Sequence, residues 1–289
     1  MDFKDGFKKI RRSIVGVGLR RDPQYQIFGS GFVIGADGSI LTNRHVLEPL
    51  LAETAGQRIG VRRGAAAFFF ITAAPEGEIV AVAGMLAIDI IAIEFIPHKI
   101  EDLEQEKSKT FRGLKPTQIF PVEPPDIGVC KIEPKDLRPE ALPLSPAEIT
   151  DSAGVSEGDP VGILGFPQGL SMPVTFDTRQ WLQLTPLLQT GVISGILPFP
   201  SVPKPDYFVL DMHVNSGSSG SPLFLNDGKV IGIVFATRRT FAPITKINKR
   251  GRFSESKNRG VFTSSALGLA IPSVNFPKEW IHETGKRSE

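Results

Sequence analysis

The chain has 289 residues, of which 41% are hydrophobic and 22% charged, the balance of an ordinary globular protein. A formal net charge of +2 gives no sign of a nucleic-acid or membrane partner. The single cysteine, Cys130, excludes an internal disulfide and argues against a cysteine-ligated zinc site. The N-terminus carries charges throughout and no apolar run of signal-peptide length, so we expect a cytoplasmic protein unless an export signal has been trimmed.

Short runs rich in Val, Ile and Phe follow one another along the chain, and turn residues bound each of them. A short helix is predicted first, over FKDGFKKI, and the strand candidates then include SIVGVGL, GSGFVIG, SILTNRHV, IGVCKIE, PVGILGF, LQTGVISGIL, YFVLDMHV and KVIGIVFAT. A second helix is predicted from Ser273 to the C-terminus. Because the strands do not alternate with helices, the pattern predicts an all-β protein, and the length favours two barrels over one.

A proline-rich connector divides the strand-rich chain into halves of similar size. Residues 134–150 contain four prolines, which favour an extended linker. We therefore predict a first unit at 1–133, a second at 151–272 and the terminal helix at 273–289. Three segments have the composition of loops inserted on this scaffold, namely 97–125, 168–187 and 238–259.

The candidate chemistry combines a histidine with a serine-rich turn. His45 stands in ILTNRHVL at the end of a strand, and NSGSSGSPLF holds several hydroxyls among glycines. A serine becomes a nucleophile when a base takes its proton, and imidazole is the usual base near neutral pH. The imidazole in turn needs a carboxylate that fixes its tautomer. Two aspartates, Asp89 in AIDIIAIEF and Asp126 in DIGVCKIE, are candidates for that role.

Several motifs in order resemble those of trypsin-like serine proteases of the chymotrypsin fold, closest to the HtrA/Deg branch. They are GSGFVIGADGSILTNRHVL, PPDIGVCKIE, VSEGDPVGILGFPQGL, LQTGVISGIL, NSGSSGSPLF, GKVIGIVFAT and LGLAIPS, and the resemblance covers roughly residues 14–281. It implies two six-stranded antiparallel β-barrels, with the active site in the cleft between them. The implied activity is a serine endopeptidase acting on proteins or peptides, without a metal or cofactor.

The resemblance also assigns roles to individual residues. Ser219 takes the nucleophile position, His45 the base, and Asp126 the acid, because DIGVCKIE runs directly into the linker as the family's acid-bearing strand does. Backbone N–H groups of Gly217 and Ser219 form the implied oxyanion hole, with Ser218 in the same turn. The implied substrate-binding residues are His213, Val214, Phe235, Ala236 and Thr237.

The resemblance leaves alternatives open for the substrate specificity, the oligomeric state and the activity. An apolar lining favours small or medium aliphatic residues before the scissile bond, whereas His213 pointing into the pocket would favour acidic ones. Phe3 and Phe7 either build a homotrimer or cover the second barrel. The 238–259 segment carries eight Lys or Arg and one Glu, and its Gly, Ser and Asn content predicts a mobile loop. The main rival function is an inactive binding or scaffold module on the same fold.

Overall fold

The computed structural model describes residues 3–21, 24–54, 57–73, 82–96, 125–133, 135, 145–167, 174–176, 179–181, 186–198, 200–247 and 253–281. Predicted loop 97–125 therefore lies almost wholly outside the described residues. None of the helices in the described ranges combines the length and the apolarity needed to cross a bilayer.

The first half of the chain closes into an antiparallel barrel. In chain order its strands are β1 (Ile14–Arg21), β2 (Gln24–Val33), β3 (Ser39–Thr42), β4 (Leu51–Thr54), β5 (Gln57–Val61), β6 (Ala65–Ala73), β7 (Val82–Phe95) and β8 (Gly128–Ile132). Six of them form the barrel in the order β1-β2-β3-β8-β7-β6, and β4 pairs with β5 as a separate hairpin. Alternate residues such as Val15, Val17 and Leu19 fill the interior, as the two-residue period of a strand requires.

The second half closes into a second barrel of the same type. Its strands are β9 (Pro160–Gly165), β10 (Val174–Phe176), β11 (Arg179–Trp181), β12 (Leu187–Leu197), β13 (Tyr207–Asp211), β14 (Pro222–Phe224), β15 (Val230–Ile247) and β16 (Phe253–Pro272). The barrel order is β12-β13-β16-β15-β14-β9, and β10 pairs with β11 inside the predicted 168–187 loop. The predicted pair of six-stranded barrels is confirmed.

One apolar cluster joins the two barrels. Phe32, Leu41 and Ile127 of the first barrel pack in the same buried cluster as Leu164, Phe224 and Ile233 of the second. Burying one such side chain contributes about 1.5–3 kcal/mol. This shared core fixes the cleft between the barrels, where the candidate site lies.

The N-terminal helix packs on the second barrel. Helix α1 (Phe3–Ile10) confirms the helix predicted over FKDGFKKI. The ring of Phe3 meets Phe224 of β14 edge to face, with centroids 6.3 Å apart, and Phe7 packs against the cluster shared by the barrels. The prediction that these aromatic residues cover the second barrel is confirmed. Their role in a homotrimer stays a prediction.

The C-terminal region differs from the predicted helix. From Ser273 the chain forms two 3₁₀ turns, Ser273–Asn275 and Lys278–Trp280, and residues 282–289 lie outside the described part. Pro277 separates the turns, because proline lacks the N–H that a continuing helix would use and keeps Phe276 extended. An α-helix from Ser273 was therefore wrong for the described residues.

The basic 238–259 segment is also not a loop over most of its length. Strand β15 continues to Ile247 and β16 begins at Phe253, with Arg239 paired to Ser264 and Ile247 to Phe253. The prediction of a mobile loop was wrong. Pairing in a two-stranded ribbon satisfies the backbone N–H and C=O groups that a loop would leave to water.

Candidate active site

His45 lies on a single helical turn at the rim of the first barrel. Strand β3 ends at Thr42, Asn43 is extended, and α2 (Arg44–Leu47) follows. The carbonyl of Asn43 accepts the N–H groups of Val46 and Leu47, at 3.2 and 3.4 Å. Val46 and Leu47 are buried and anchor this turn, whereas the His45 side chain is 46% exposed. The imidazole is thus presented to the cleft on a fixed backbone.

Asp126 contacts His45 at two points. Its Oδ2 lies 2.5 Å from His45 Nδ1, and its Oδ1 accepts the backbone N–H of His45 at 3.0 Å. The pairing of β3 with β8 causes this meeting, since Thr42 stands opposite Gly128 and the residue after β3 therefore lies beside the residues before β8. Both oxygens of the carboxylate are used, which fixes its orientation toward the imidazole.

Asp89, the other candidate acid, lies elsewhere. It belongs to β7, its side chain is 61% exposed, and its carboxylate pairs with Arg20 at 3.2 Å. Of the two aspartates, Asp126 is the one that the fold brings to His45.

Asn43 is a site residue that the sequence patterns did not single out. Its side chain is buried, and Nδ2 donates to the backbone carbonyl of Asp126 at 2.7 Å. The same residue therefore supports the turn that carries His45 and the backbone that carries Asp126. Its place two residues before His45 in TNRHV is the signal that could have identified it.

Ser219 lies in a tight turn on the second barrel, just before β14. Gly217 and Gly220 both have positive φ angles, +88° and +86°, which side-chain-bearing residues rarely adopt. Ser218 N–H donates to Asn215 O at 3.0 Å, and Gly220 N–H donates to Val234 O at 2.8 Å. The Ser219 hydroxyl donates to the carbonyl of Phe235 at 3.3 Å, and no hydrogen bond joins it to His45 among the described residues.

Two backbone N–H groups of this turn are available for a ligand. Within the described ranges, neither Gly217 N–H nor Ser219 N–H donates to a backbone or side-chain acceptor. Ser218 N–H, in contrast, is taken by Asn215, so this residue serves the turn and not the predicted oxyanion hole. Its hydroxyl and that of Ser221 are buried without a hydrogen-bond partner. An oxyanion placed at the turn could accept from Gly217 and Ser219.

Of the predicted substrate-binding residues, Val214, Ala236 and Thr237 lie next to β16, whereas His213 is exposed. Val214 is buried, and a Cβ at Gly268 would lie 2.4 Å from its Cγ2, so the 213–216 segment abuts β16. Thr237 pairs with Gly268 and Ala236 with Leu269, which brings these stretches together. His213 is exposed, and its carbonyl accepts from Gln189 Nε2 at 2.7 Å.

Phe235, another predicted substrate-binding residue, is partly buried. Its ring packs against the core shared by the barrels and stacks at 5.2 Å on Tyr207. Its carbonyl accepts the Ser219 hydroxyl.

Cys130 and metal-ligating groups take no part in this site. Complete burial of the Cys130 thiol raises its pKa to about 12, so the thiol is protonated and unreactive near neutral pH. In the part of the chain that the structure describes, no group of three or more His, Cys, Asp or Glu residues is placed to hold a metal ion.

A family model described as a trypsin-like peptidase domain matches residues 29–233, more than half of the chain. The chain belongs to this family. It is 27% identical to the mitochondrial serine protease HTRA2 of Bos taurus, in an alignment that covers 84% of this chain. It is 26% identical to a probable periplasmic DegP-like serine endoprotease of Pseudomonas fluorescens, in an alignment that covers 74% of this chain. These relatives support the predicted place in the HtrA branch.

The chain spans 38% of the bovine relative and 30% of the bacterial one. Among solved structures, a serine endoprotease from Yersinia pestis is similar over 98% of this chain and 68% of its own, with 15% identity and a TM-score of 0.48.

Proposed function

We propose that this chain is a serine endopeptidase that cleaves protein or peptide substrates with Ser219, His45 and Asp126. The observation that carries the proposal is the two-point contact between Asp126 and His45. A carboxylate at Nδ1 leaves Nε2 of the imidazole as the proton acceptor, which is the tautomer that a general base needs.

The reaction follows from these positions. Ser219 Oγ attacks the substrate carbonyl while His45 Nε2 takes its proton, and the carbonyl oxygen becomes an oxyanion that Gly217 and Ser219 N–H groups stabilise. His45 then returns the proton to the leaving amine, and the acyl-enzyme forms. Water, deprotonated by His45, attacks the acyl carbon and releases Ser219 with its proton restored.

One step precedes this chemistry. The Ser219 hydroxyl has to exchange its bond to the Phe235 carbonyl for one to His45. Rotation about χ1 of Ser219 between staggered wells is the motion that redirects its hydroxyl. Substrate that occupies the Phe235 carbonyl with its own N–H would favour this rotation.

A fluorophosphonate probe tests the proposal directly. The probe should label the wild-type chain, fail to label Ser219→Ala, and label His45→Ala far more slowly. Ser273→Ala, which removes another buried serine hydroxyl, is the matched control and should be labelled like wild type. A wild-type chain that stays unlabelled would favour the inactive scaffold instead.

We propose a preference for small or medium aliphatic residues, such as Val, Ala or Leu, before the scissile bond. The buried Val214 beside Gly268 supports an apolar wall, which favours aliphatic side chains. A peptide library should show this preference in wild type and in His213→Ala. Selection of acidic residues that disappears in His213→Ala would support the other assignment, and selection of Arg or Lys would contradict both.

Assembly into a homotrimer through Phe3 and Phe7 is a further part of the proposal. Both rings are partly buried against the chain's own core, so a trimer contact would use only their remaining exposed edges. Light scattering of wild type against Phe7→Ala measures whether this contact exists.

A further inference from the structure

Ser30 lies in β2 of the first barrel and touches the Ser219 turn of the second. The residue is completely buried, and 187 positions separate it from Gly217 in the chain. Its backbone N–H donates to the carbonyl of Ser219 at 2.7 Å, and its hydroxyl donates to the carbonyl of Gly217 at 2.8 Å. One residue of the first barrel thus holds two carbonyls of the turn.

The remaining polar groups of Ser30 are also paired. Its hydroxyl accepts the N–H of Phe166 at 2.9 Å, and its carbonyl accepts the hydroxyl of Thr42 at 2.6 Å. A buried polar residue with every donor and acceptor satisfied has one orientation available. Thr42 ends β3, two residues from the turn that carries His45, so Ser30 is also linked to the histidine side of the cleft.

The turn is pressed against Ser30. A Cβ at Gly220 would lie 1.9 Å from the Ser30 carbonyl oxygen and 2.4 Å from Thr42 Oγ1. The glycine therefore serves a close approach as well as its positive φ. Nothing larger fits between the turn and β2.

These contacts bear on the two N–H groups that face the cleft. The N–H groups of Gly217 and Ser219 have no acceptor in the described part of the chain, and Ser30 binds the carbonyls of these same two residues. Because each peptide unit is planar, Ser30 fixes the 217–218 and 219–220 units through their carbonyls. The 218–219 unit, which carries the Ser219 N–H, lies between these two fixed units, and the 216–217 unit, which carries the Gly217 N–H, adjoins the first of them. The torsions that orient both donors are thereby restricted. An oxyanion hole depends on donors that are oriented before charge develops.

We propose that Ser30 is a positioning residue that orients the oxyanion donors Gly217 and Ser219 from the opposite barrel. It also sets the nucleophile's turn in register with the His45 and Asp126 pair, since all three residues stand on the first barrel. Ser30 touches no substrate itself. The catalytic effect of Ser30 rests on the proposed peptidase function. Its effect on the geometry of the turn rests on the hydrogen bonds alone.

The first experiment compares Ser30→Ala with Ser273→Ala. Ser273 is a matched control, because its buried hydroxyl also donates to a backbone carbonyl, that of Thr150 at 2.6 Å, away from the Ser219 turn. Ser30→Ala should lower kcat about 10- to 100-fold, below the effect of deleting a donor outright, while KM changes less than about threefold. Ser273→Ala should leave both near their wild-type values even where it lowers Tm.

A transition-state analogue separates orientation of the donors from general loosening. A peptide boronate adds to Ser219 and places an oxygen in the oxyanion position. Its Ki should rise in Ser30→Ala by the same factor by which kcat falls. Ser30→Cys should act in the same direction, because a thiol fills the space but is a weak donor. The cysteine variant keeps the test available if the alanine variant does not fold.

Hydrogen exchange supplies a readout that does not need turnover. The hydrogen-bonded amides of Ser218, Gly220 and Ser221 should exchange about tenfold faster in Ser30→Ala than in wild type and be unchanged in Ser273→Ala. Equal exchange in both variants, or an unchanged kcat and boronate Ki in Ser30→Ala, would overturn the role of Ser30. An inactive wild type would overturn the proposed function, and the exchange comparison would still decide whether Ser30 holds the turn.

Discussion

Asp126 binds His45 through both carboxylate oxygens, one at the imidazole Nδ1 and one at the backbone N–H. The contact fixes the ring and the main chain of the histidine together. Strands β3 and β8 bring it about, because they pair directly in the first barrel. The arrangement makes the acid assignment testable by a single isosteric change.

Asp126→Asn should lower kcat about 10⁴-fold, because an amide at Nδ1 favours the wrong imidazole tautomer. Asp89→Asn is the matched control, since its carboxylate pairs with Arg20 on the exposed face of β7. That variant should change kcat less than about twofold, as loss of an exposed ion pair is a small perturbation. The opposite ranking of the two variants, measured with one peptide substrate, would refute the assignment.

Ser219→Ala and His45→Ala should each abolish most turnover, and the double variant should be little worse than either. Residues that act as one unit lose their joint contribution when one member is removed. Single-turnover kinetics on one peptide compares the three proteins. Additive losses in the double variant would mean that the two residues act independently, against the proposed mechanism.

Gly6→Ala should lower the free energy of unfolding by about 1–3 kcal/mol, because overpacking strains a close contact. A Cβ at this position would lie 2.6 Å from the carbonyl oxygen of Asn226, which is backbone and cannot move aside cheaply. Lys4→Ala, on the exposed side of α1, should be nearly neutral. Denaturant unfolding measures both. A neutral Gly6→Ala would show that α1 does not dock on the second barrel in solution.

Cys130 should resist alkylation by iodoacetamide in the native protein at pH 8 and react quickly once the chain is unfolded. Burial raises its thiol pKa from 9.0 to about 12, so the native state disfavours the thiolate. The raised pKa also makes the free energy of unfolding depend on pH. The contribution of the neutral thiol is fully present below pH 9 and is lost as the pH rises toward 12. Unfolding free energies of wild type should therefore fall faster over this range than those of Cys130→Ala.

The basic ribbon of β15 and β16 should attract acidic proteins. The 238–259 segment, of which 248–252 lie outside the described residues, has a net charge of +7 in a chain whose total is +2. Changing Lys246, Lys249, Arg250 and Arg252 to Gln should raise KM for acidic protein substrates and spare short neutral peptides, with the difference shrinking as salt is added. Equal effects on both substrate classes would assign the ribbon no recruiting role.

The sequence by itself determined the all-β class and the two-barrel division, because these depend on local properties, and the family resemblance marked NSGSSGSPLF as the candidate nucleophile turn. Short apolar runs between turn residues predict the strands. The backbone of the Ser219 turn needs glycines at fixed positions in NSGSSGSPLF. The same locality explains two errors. The 238–259 segment has the composition of a loop, yet its described residues pair as strands β15 and β16. Apolar spacing predicted a helix from Ser273, but Pro277 separates this region into two 3₁₀ turns.

Only the tertiary structure decided which residues meet across the chain. Asp89 and Asp126 stand in similar apolar contexts; the family resemblance favoured Asp126, and the pairing of β8 with β3 is what brings it into contact with His45. The contacts of Asn43 and Ser30 also became visible only in the tertiary structure. Asn43 binds the backbone carbonyl of Asp126, and Ser30 binds two carbonyls of the Ser219 turn in the other barrel. Hydrogen bonds between residues 83 or 187 positions apart leave no local pattern, because they follow from strand order and barrel packing rather than from neighbouring residues.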